Sequence, residues 1–221
     1  MTTVIVTGAN RGIGLEYCKQ FLARGDQVIA LCRQTSEELI ALACRVEEDI
    51  DVSSDDCVAI IRERLNDVSQ VDVLVNNAGL LTDESLEDLD YDRIRSQFEI
   101  NTLGPLRVTD ALKGKLGRGA KIAMMTSRMG SVTDNTSGSR YGYRISKAAL
   151  NIASVSLAHD LKSEGVAIAI LHPGYVKTEM TGMSGLIDTE ESVDGLMQRI
   201  DALSLENSGT FWHTNGDVLP W

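Results

Sequence analysis

Short apolar runs alternate with longer helical patterns along the whole chain. The runs are rich in β-branched residues and show no polar alternation, which is typical of strands buried on both faces of a parallel sheet. They predict strands at residues 4–6, 27–31, 50–52, 71–75, 121–126, 166–171 and 210–212. The helical periodicity predicts helices at residues 13–23, 36–44, 53 or 54 to 65, 91–112, 142–163 and 192–203.

This alternation predicts an α/β protein with a single-domain Rossmann fold over residues 1–221. The expected sheet is doubly wound and mainly parallel, with about seven strands and helices on both faces. Pro105 lies inside the predicted helix 91–112 and is expected to kink it. Residues 178–192 are interrupted by glycine and are interpreted as a substrate lid. The acidic stretch 83–92 is interpreted as a solvated face.

Composition narrows the classes of partner. Of the 221 residues, 43% are hydrophobic and 24% are charged, which are ordinary values for a globular domain. The formal net charge of -11 disfavours nucleic acid and anionic membranes as partners. No apolar run is long enough to span a membrane. The N-terminus enters the first strand directly, so no signal peptide is expected.

Cysteine and histidine placement points to a reducing compartment without a metal site. The four cysteines are Cys18, Cys32, Cys44 and Cys57. They form no CxxC pair and no zinc spacing, so they are interpreted as free thiols of a cytoplasmic protein. His159 and His213 have no acid or thiol at ligand spacing, so no metal is expected. His172 is interpreted as structural.

A glycine-rich turn separates the first strand from the first helix. Residues 7–14 read Thr-Gly-Ala-Asn-Arg-Gly-Ile-Gly. Glycine permits a tight turn and a close approach of a pyrophosphate, and a helix N-terminus offers free N–H groups to phosphates. A glycine turn without a ligand is the alternative, but its place between strand and helix favours a dinucleotide. The expected contacts are Gly8, Asn10, Arg11, Gly12, Ile13 and Gly14.

The end of the second strand indicates which dinucleotide binds. In doubly wound sheets an acidic residue at this point binds the free 2′-hydroxyl of the adenosine ribose. Here the strand ends at Leu31-Cys32-Arg33, without an acid. Arg33 and Arg11 would suit a 2′-phosphate through charge-assisted hydrogen bonds. NADP(H) is therefore predicted over NAD(H), with a solvated Arg33 as the alternative.

Tyr143 and Lys147 stand at positions i and i+4 of a strongly predicted helix, so they share one face and can line one cleft. A free phenol with a pKa of about 10 is a poor base at neutral pH. A nearby ammonium and an oxidised nicotinamide would both lower that pKa. Tyr143 could then exchange a proton with a substrate oxygen that Ser127 holds by a hydrogen bond. Tyr141 is a competing phenol, but its i+4 neighbour is Ile145.

Together these motifs resemble the short-chain dehydrogenase/reductase superfamily over nearly the whole chain. Residues 7–14 match its cofactor turn, and residues 76–79 match its Asn-Asn-Ala-Gly segment after the fourth strand. Its Asn-Ser-Tyr-Lys tetrad is matched by Asn101, Ser127, Tyr143 and Lys147. Its turn at the nicotinamide end is matched by Pro173, Gly174 and Thr178.

The resemblance implies roles for further residues. Asn101 would support a water linked to Lys147, as a proton route to bulk solvent. The implied adenosine contacts are Asp51 with Val52 beside it, and Asn77 with Ala78 and Gly79. The implied contacts of the nicotinamide carboxamide are Val176 and Thr178.

Within the superfamily, the short chain and its ending at residues 211–221 resemble the C-factor and sniffer-type carbonyl reductases. The resemblance implies an NADP(H)-dependent oxidoreductase that transfers a hydride between the nicotinamide and a carbonyl or alcohol substrate. A dinucleotide-binding signalling or sensor protein with little turnover is the alternative. Family members often pair through two long helices, here those with Asn101 and Lys147, so a homodimer or homotetramer is expected.

Overall fold

The computed structural model describes residues 2–221. Its strands are β1 (Thr3–Thr7), β2 (Gln27–Leu31), β3 (Arg45–Glu47), β4 (Val71–Asn76), β5 (Leu116–Met125), β6 (Ala167–His172) and β7 (Phe211–His213). Its α-helices are α1 (Gly12–Ala23), α2 (Glu37–Ala41), α3 (Cys57–Arg64), α4 (Tyr91–Phe98), α5 (Gly104–Leu112), α6 (Tyr141–Asp160) and α7 (Thr189–Asp201).

The strands form one seven-stranded sheet in the order β3-β2-β1-β4-β5-β6-β7. All six neighbouring pairs are parallel. The order reverses direction between β1 and β4, which creates a crevice at the carboxyl ends of these strands. The predicted α/β Rossmann architecture is confirmed.

Two hydrophobic cores lie on opposite faces of the sheet, because successive residues of a strand point to opposite sides. Ile5 of β1 belongs to the core that includes residues of α3, α5 and α6. Its neighbours Val4 and Val6 belong to the core that includes residues of α1 and α7. Burial on both faces explains why the central strands are continuous apolar runs.

The third strand is not at residues 50–52, where the apolar pattern predicts it. β3 is Arg45–Glu47, at the edge of the sheet, where Arg45 donates to Glu47 Oε1 at 2.8 Å. Charged side chains are common on edge strands and conceal the strand pattern. Residues 50–52 follow a turn at Asp49, whose φ is +58°, and they lie on the wall of the central cleft.

The long helix predicted at residues 91–112 is interrupted by a π turn at Glu99–Leu103. Pro105 lies in the first turn of α5, which continues directly from the π turn. The irregularity therefore precedes the proline and is a π turn, a feature that is frequent at functional sites. Asn101 lies within this turn.

Candidate active site

A cleft of about 760 Å³ lies at the carboxyl ends of the central strands. The predicted site residues that line it are Gly8, Asn10, Arg11, Gly12, Ile13, Arg33, Asp51, Val52, Asn77, Ala78, Gly79, Tyr143, Lys147, Pro173 and Thr178. The structure thus brings most of the predicted cofactor contacts and half of the tetrad to one cleft. The predicted residues that do not line it are Gly14, Asn101, Ser127, Gly174 and Val176.

The turn after β1 requires glycine for two reasons. Gly8 and Gly12 have φ values of +64° and +54°, in the left-handed region that favours glycine. A Cβ on Gly14 would lie 2.1 Å from the carbonyl oxygen of Gly8, so the helix could not pack against the turn. A Cβ on Gly12 would meet nothing closer than Thr178 Cγ2 at 3.6 Å, so the backbone is open there.

Helix α1 starts at this open point without a side-chain cap. Its N-cap residue, Arg11, makes no capping hydrogen bond. The first N–H groups of a helix have no partner within the helix, and the helix dipole makes this end electropositive. An open, uncapped glycine turn therefore fits the pyrophosphate of a dinucleotide.

Hydrogen bonds between β1 and β4 hold the turn in place. Thr7 Oγ1 accepts from the backbone N–H groups of Asn77 and Ala78, at 2.9 and 3.0 Å. Asn77 Nδ2 donates to the carbonyl oxygens of Thr7 and Gly8, at 3.0 and 3.3 Å. The amide nitrogen of Asn77 thus braces the turn, and the residue also borders the cleft.

The two arginines predicted near the 2′-phosphate have different surroundings. Arg11 forms an ion pair of 3.4 Å with Glu179, from the segment that follows β6. Arg33 is exposed on the cleft wall and forms no ion pair within residues 2–221. Burial would raise the pKa of Asp51, but hydrogen bonds from Ser53 and the charge of Arg33 outweigh it and lower that pKa. Arg33 is therefore the cation at the end of β2 that has no ion-pair partner in residues 2–221 and could bind a phosphate.

Tyr143 and Lys147 project from the N-terminal part of α6. Lys147 Nζ lies 5.6 Å from the centroid of the Tyr143 ring. Lys147 is only 3% exposed, and its Nζ donates to the carbonyl oxygen of Met125 at 2.7 Å. Ser127 follows β5, and its Oγ accepts from the Met129 N–H at 3.1 Å. Ser127 also forms a hydrogen bond with Tyr143, so the two hydroxyl groups lie beside one another at the cleft.

Burial shifts the pKa values of the two residues in opposite directions, because it disfavours the charged form of each. Burial raises the pKa of Tyr143 to about 12, and the hydrogen bond of Ser127 and the charge of Arg140 offset this only in part. Burial lowers the pKa of Lys147 to about 7. In the protein alone the phenol pKa is therefore raised by burial, which is opposite to the lowering that the sequence predicts from a nearby ammonium.

The side chain of Asn101 is fully engaged inside the protein. Its Nδ2 donates to the Leu80 carbonyl oxygen and to Ser146 Oγ, at 2.8 and 3.0 Å. Its Oδ1 accepts from the Leu80 N–H at 2.8 Å. Ser146 Oγ in turn donates to the Tyr143 carbonyl oxygen at 2.9 Å. Asn101 thus joins the π turn, the loop after β4 and helix α6.

The segment after β6 folds back on itself beside the cleft. Val176 bridges Ile187, and the Lys177 N–H donates to the Ile187 carbonyl oxygen at 2.9 Å. Gly174 has a φ of +84°, which permits the turn. Because α7 begins at Thr189, the last residues of the predicted lid 178–192 are helical. A lid role for the preceding loop stays a prediction.

Comparisons with known proteins agree with this geometry. A family model described as short chain dehydrogenase matches residues 2–186. The chain belongs to the short-chain dehydrogenase family. The predicted resemblance is confirmed, and the protein is an enzyme of the dehydrogenase and carbonyl reductase kind that uses a nicotinamide cofactor.

Two curated relatives of this short-chain dehydrogenase are informative. The 1-hydroxy-2-glutathionyl-2-methyl-3-butene dehydrogenase of Rhodococcus sp. (strain AD45) is 42% identical, and the match covers 100% of both chains. The C-signal of Myxococcus xanthus is 47% identical over 154 residues, which cover 68% of this chain and 93% of that protein.

Solved structures of carbonyl reductases share the fold. The carbonyl reductase Sniffer of D. melanogaster superposes with a TM-score of 0.92 at 30% identity, over 100% of both chains. A carbonyl reductase from Pseudomonas aeruginosa PAO1 in complex with NADP superposes with a TM-score of 0.85 at 34% identity, again over 100% of both chains.

Two hydroxyl residues of this short-chain dehydrogenase were not singled out by the sequence pattern. Thr7 Oγ1, at the end of β1, accepts hydrogen bonds from two backbone N–H groups, and Ser146 joins Asn101 to helix α6. Polar residues at the end of a buried strand, or at a buried helix position, are the signal that could have indicated them.

Within residues 2–221, no group of three or more His, Cys, Asp or Glu side chains could hold a metal ion. No helix in this range has the length and apolar character that crossing a membrane requires. All four cysteines are free thiols.

His172, at the end of β6, is a half-buried histidine with an unpaired nitrogen. Its Nδ1 has no hydrogen-bond partner within the described chain, and the His213 ring lies edge-on at 4.9 Å. Burial, with the charges of His213 and Arg128, lowers the pKa of His172 to about 3. The residue is therefore neutral at pH 7, as a structural role requires.

This shift predicts a loss of stability in mild acid. Below a pH of about 6.5, His172 becomes protonated in the unfolded chain but stays neutral in the folded protein. Unfolding free energy should therefore fall by up to about 1.4 kcal/mol per pH unit as the pH drops from that value towards the folded pKa. Urea unfolding between pH 7.5 and 5 measures the slope.

His172→Gln should show a shallower slope than wild type. His159→Gln is the control, because His159 is exposed and its loss should leave the slope unchanged. Equal slopes for His172→Gln and wild type would contradict the shift.

Proposed function

We propose that this short-chain dehydrogenase is an NADP(H)-dependent oxidoreductase that interconverts a carbonyl and an alcohol. The observation that supports the proposal is the set of residues that meet at one cleft. Tyr143, Lys147 and the nearby Ser127 stand at one end of it, and the open glycine turn and Arg33 stand at the other. A dinucleotide is long enough to join a phosphate site at a glycine turn to a distant reacting centre.

The proton chemistry is assigned to three residues of the chain. When bound, the nicotinamide supplies or accepts the hydride. Tyr143 keeps its proton at neutral pH and donates it to the carbonyl oxygen during reduction. Ser127, which hydrogen-bonds Tyr143 in the protein alone, donates its hydroxyl hydrogen to the same oxygen. Lys147, oriented by the Met125 carbonyl, holds the nicotinamide ribose and in its ammonium form favours proton transfer from the phenol.

Asn101 is assigned to the proton route. Its side-chain amide is occupied by Leu80 and Ser146, so we assign to its main-chain carbonyl the water that links Lys147 to solvent. The π turn supports this assignment, because irregular backbone hydrogen bonding leaves carbonyl groups available to water.

The remaining predicted contacts are assigned along the cofactor. The phosphates would be held by Gly8, Asn10, Arg11, Gly12, Ile13 and Gly14. The adenosine would be held by Asp51, Val52, Asn77, Ala78 and Gly79. The nicotinamide end would be held by Pro173, Gly174, Val176 and Thr178.

NADP(H) is favoured over NAD(H) because of the end of β2. Arg33 is an exposed cation without an ion-pair partner in residues 2–221, so it can bind a 2′-phosphate without first losing a carboxylate. Arg11 must leave Glu179 to do the same. The solved relatives from chicken fatty liver and Pseudomonas aeruginosa hold NADPH and NADP respectively.

The substrate is proposed to be a small carbonyl compound or its alcohol. The Rhodococcus relative is named for dehydrogenation of a hydroxy compound that bears a glutathionyl group. A screen should therefore include thioether alcohols in the oxidative direction as well as ketones, aldehydes and quinones in the reductive direction.

A signalling or sensor protein of the C-signal type is the second candidate, favoured by the 47% identity to the Myxococcus protein. A sensor needs the cofactor cleft but has no need of Tyr143, Ser127 and Lys147 beside it. Tight NADPH binding with no turnover on any substrate class would favour the sensor.

Replacing the phenol should separate chemistry from binding. Tyr143→Phe removes the proton donor but keeps the ring, so we expect kcat to fall by about a hundredfold or more while NADPH affinity stays within about twofold. Steady-state kinetics and a fluorescence titration measure the two quantities. Tyr141→Phe, which removes the neighbouring phenol, is the control and should keep wild-type kcat. Substantial turnover by Tyr143→Phe would refute the assignment.

Reversing the charge at the end of β2 should change the cofactor preference. Arg33→Glu should lower the ratio of kcat/KM for NADPH over NADH by about tenfold to a hundredfold, since a charge-assisted hydrogen bond is lost and a repulsion is gained. Lys162→Glu makes the same charge change at an exposed position outside the cleft, and it should leave the ratio unchanged. An unaltered ratio in Arg33→Glu would exclude the 2′-phosphate role.

We also propose that the enzyme forms a homodimer or homotetramer through the helices that carry Asn101 and Lys147. Ile145 and Ile152 of α6 are 51% and 66% exposed, and Tyr91 of α4 is 63% exposed. Light scattering should find an oligomer, and Ile152→Asp should dissociate it. A monomer in the wild-type protein at micromolar concentration would count against this assembly.

A further inference from the structure

Glu84 is a buried carboxylate in the stretch 83–92, which the sequence predicts to be a solvated acidic face. It is 2% exposed, whereas Asp83, Glu87 and Asp88 are exposed as expected. The solvated-face interpretation is therefore wrong for Glu84. A buried carboxylate is costly unless hydrogen bonds satisfy its oxygens, so its partners indicate what it holds in place.

The partners of Glu84 connect three separate parts of the chain. Its Oε1 accepts from the Thr82 hydroxyl and from Gln97 Nε2 of α4, the latter at 3.0 Å. Its Oε2 accepts from the Gly142 N–H of α6 at 3.2 Å. Its main-chain carbonyl accepts from the Arg140 N–H at 2.6 Å. Two of these bonds cap the start of the catalytic helix.

Helix α6 has no cap of its own. Its N-cap residue, Arg140, adopts φ 53° and ψ 46° and makes no side-chain capping bond. By contrast, Asp90 caps α4 and Asp188 caps α7. A carboxylate near a helix N-terminus satisfies free N–H groups and interacts favourably with the helix dipole. Glu84 supplies to α6, from a distant loop, what those aspartates supply to their own helices.

The capped turn is the one that carries the catalytic phenol. Gly142 immediately precedes Tyr143, and a Cβ on Gly142 would lie 2.1 Å from Gln97 Nε2 and 3.0 Å from Ile94 Cα. The first turn of α6 is therefore pressed against α4 at this point. Lys147 lies a turn further along, where its own bond to β5 holds it.

We propose that Glu84 is a positioning residue for Tyr143. Its buried carboxylate fixes the first turn of α6 through Gly142, and so directs the phenol towards the substrate oxygen. The proposal rests on the proposed role of Tyr143 as proton donor. It assigns to Glu84 no contact with the substrate or the cofactor.

Glu84→Gln tests the proposal with little change in volume. The amide keeps one acceptor and turns a donor towards either Gly142 N–H or Gln97 Nε2, both of which are donors. We expect kcat, expressed per titrated NADPH-binding site, to fall by about tenfold or more. NADPH affinity should stay within about twofold, because the glycine turn and Lys147 have independent supports. An unchanged kcat per binding site would overturn the proposal, and so would an equal loss of kcat and NADPH affinity.

Asp83→Asn is the matched control. Asp83 is the neighbouring carboxylate and also reaches the start of α6, through Arg140 Nε at 2.6 Å, but it is exposed. It should keep kcat within about twofold, because an exposed ion pair contributes little. A loss equal to that of Glu84→Gln would overturn the proposal, since the buried carboxylate would then have no special role.

Thr82→Val keeps the proposal testable if Glu84→Gln does not fold. It removes one donor to Glu84 and leaves the carboxylate in place. A smaller fall in kcat, with NADPH affinity retained, would support the proposal, and wild-type kcat would overturn it.

Tyr143→Phe separates the positioning role of Glu84 from the proposed function of the enzyme. Turnover by that variant refutes the proposed function, whereas its inactivity beside a fully active Glu84→Gln refutes only the positioning role.

Discussion

The close approach of helix α6 to the end of strand β5 is the contact on which the candidate active site depends. Lys147 Nζ donates to the Met125 carbonyl oxygen at 2.7 Å. The turn after Ser127 touches the helix so closely that a Cβ on Gly130 would lie 2.7 Å from the Lys147 carbonyl carbon. Without this approach, Ser127 and Tyr143 would lie on separate elements with no common ligand position.

The same approach sets the electrostatics of the site. Burial raises the pKa of Tyr143, which is only partly buried, to about 12 and lowers that of the buried Lys147 to about 7. The protein alone therefore holds a neutral phenol, which suits an acid in the direction of carbonyl reduction. Under the proposed function, alcohol oxidation would need the phenolate, and Lys147 in its ammonium form and an oxidised nicotinamide would supply the positive charge that stabilises it.

The apolar pattern located most strands because burial on both faces leaves continuous apolar runs. β2 occupies Gln27–Leu31, as the pattern predicts. β3 escaped detection because an edge strand such as Arg45–Glu47 exposes polar side chains. The apolar pattern also failed to predict the π turn Glu99–Leu103. A local change in helical hydrogen bonding does not change the spacing of apolar residues along the sequence.

The sequence by itself determined the features that depend on neighbours in the chain: the buried strands, the glycine turn and the i, i+4 pair of Tyr143 and Lys147. Only the tertiary structure decided which distant groups meet. Glu84 reaches Gly142 across 58 residues, and Asn77 braces Thr7 across 70. The physical reason is that burial and long-range hydrogen bonds depend on how whole elements pack. Composition reveals the acidic stretch 83–92, but only the packing of the elements shows that the Glu84 carboxylate is buried.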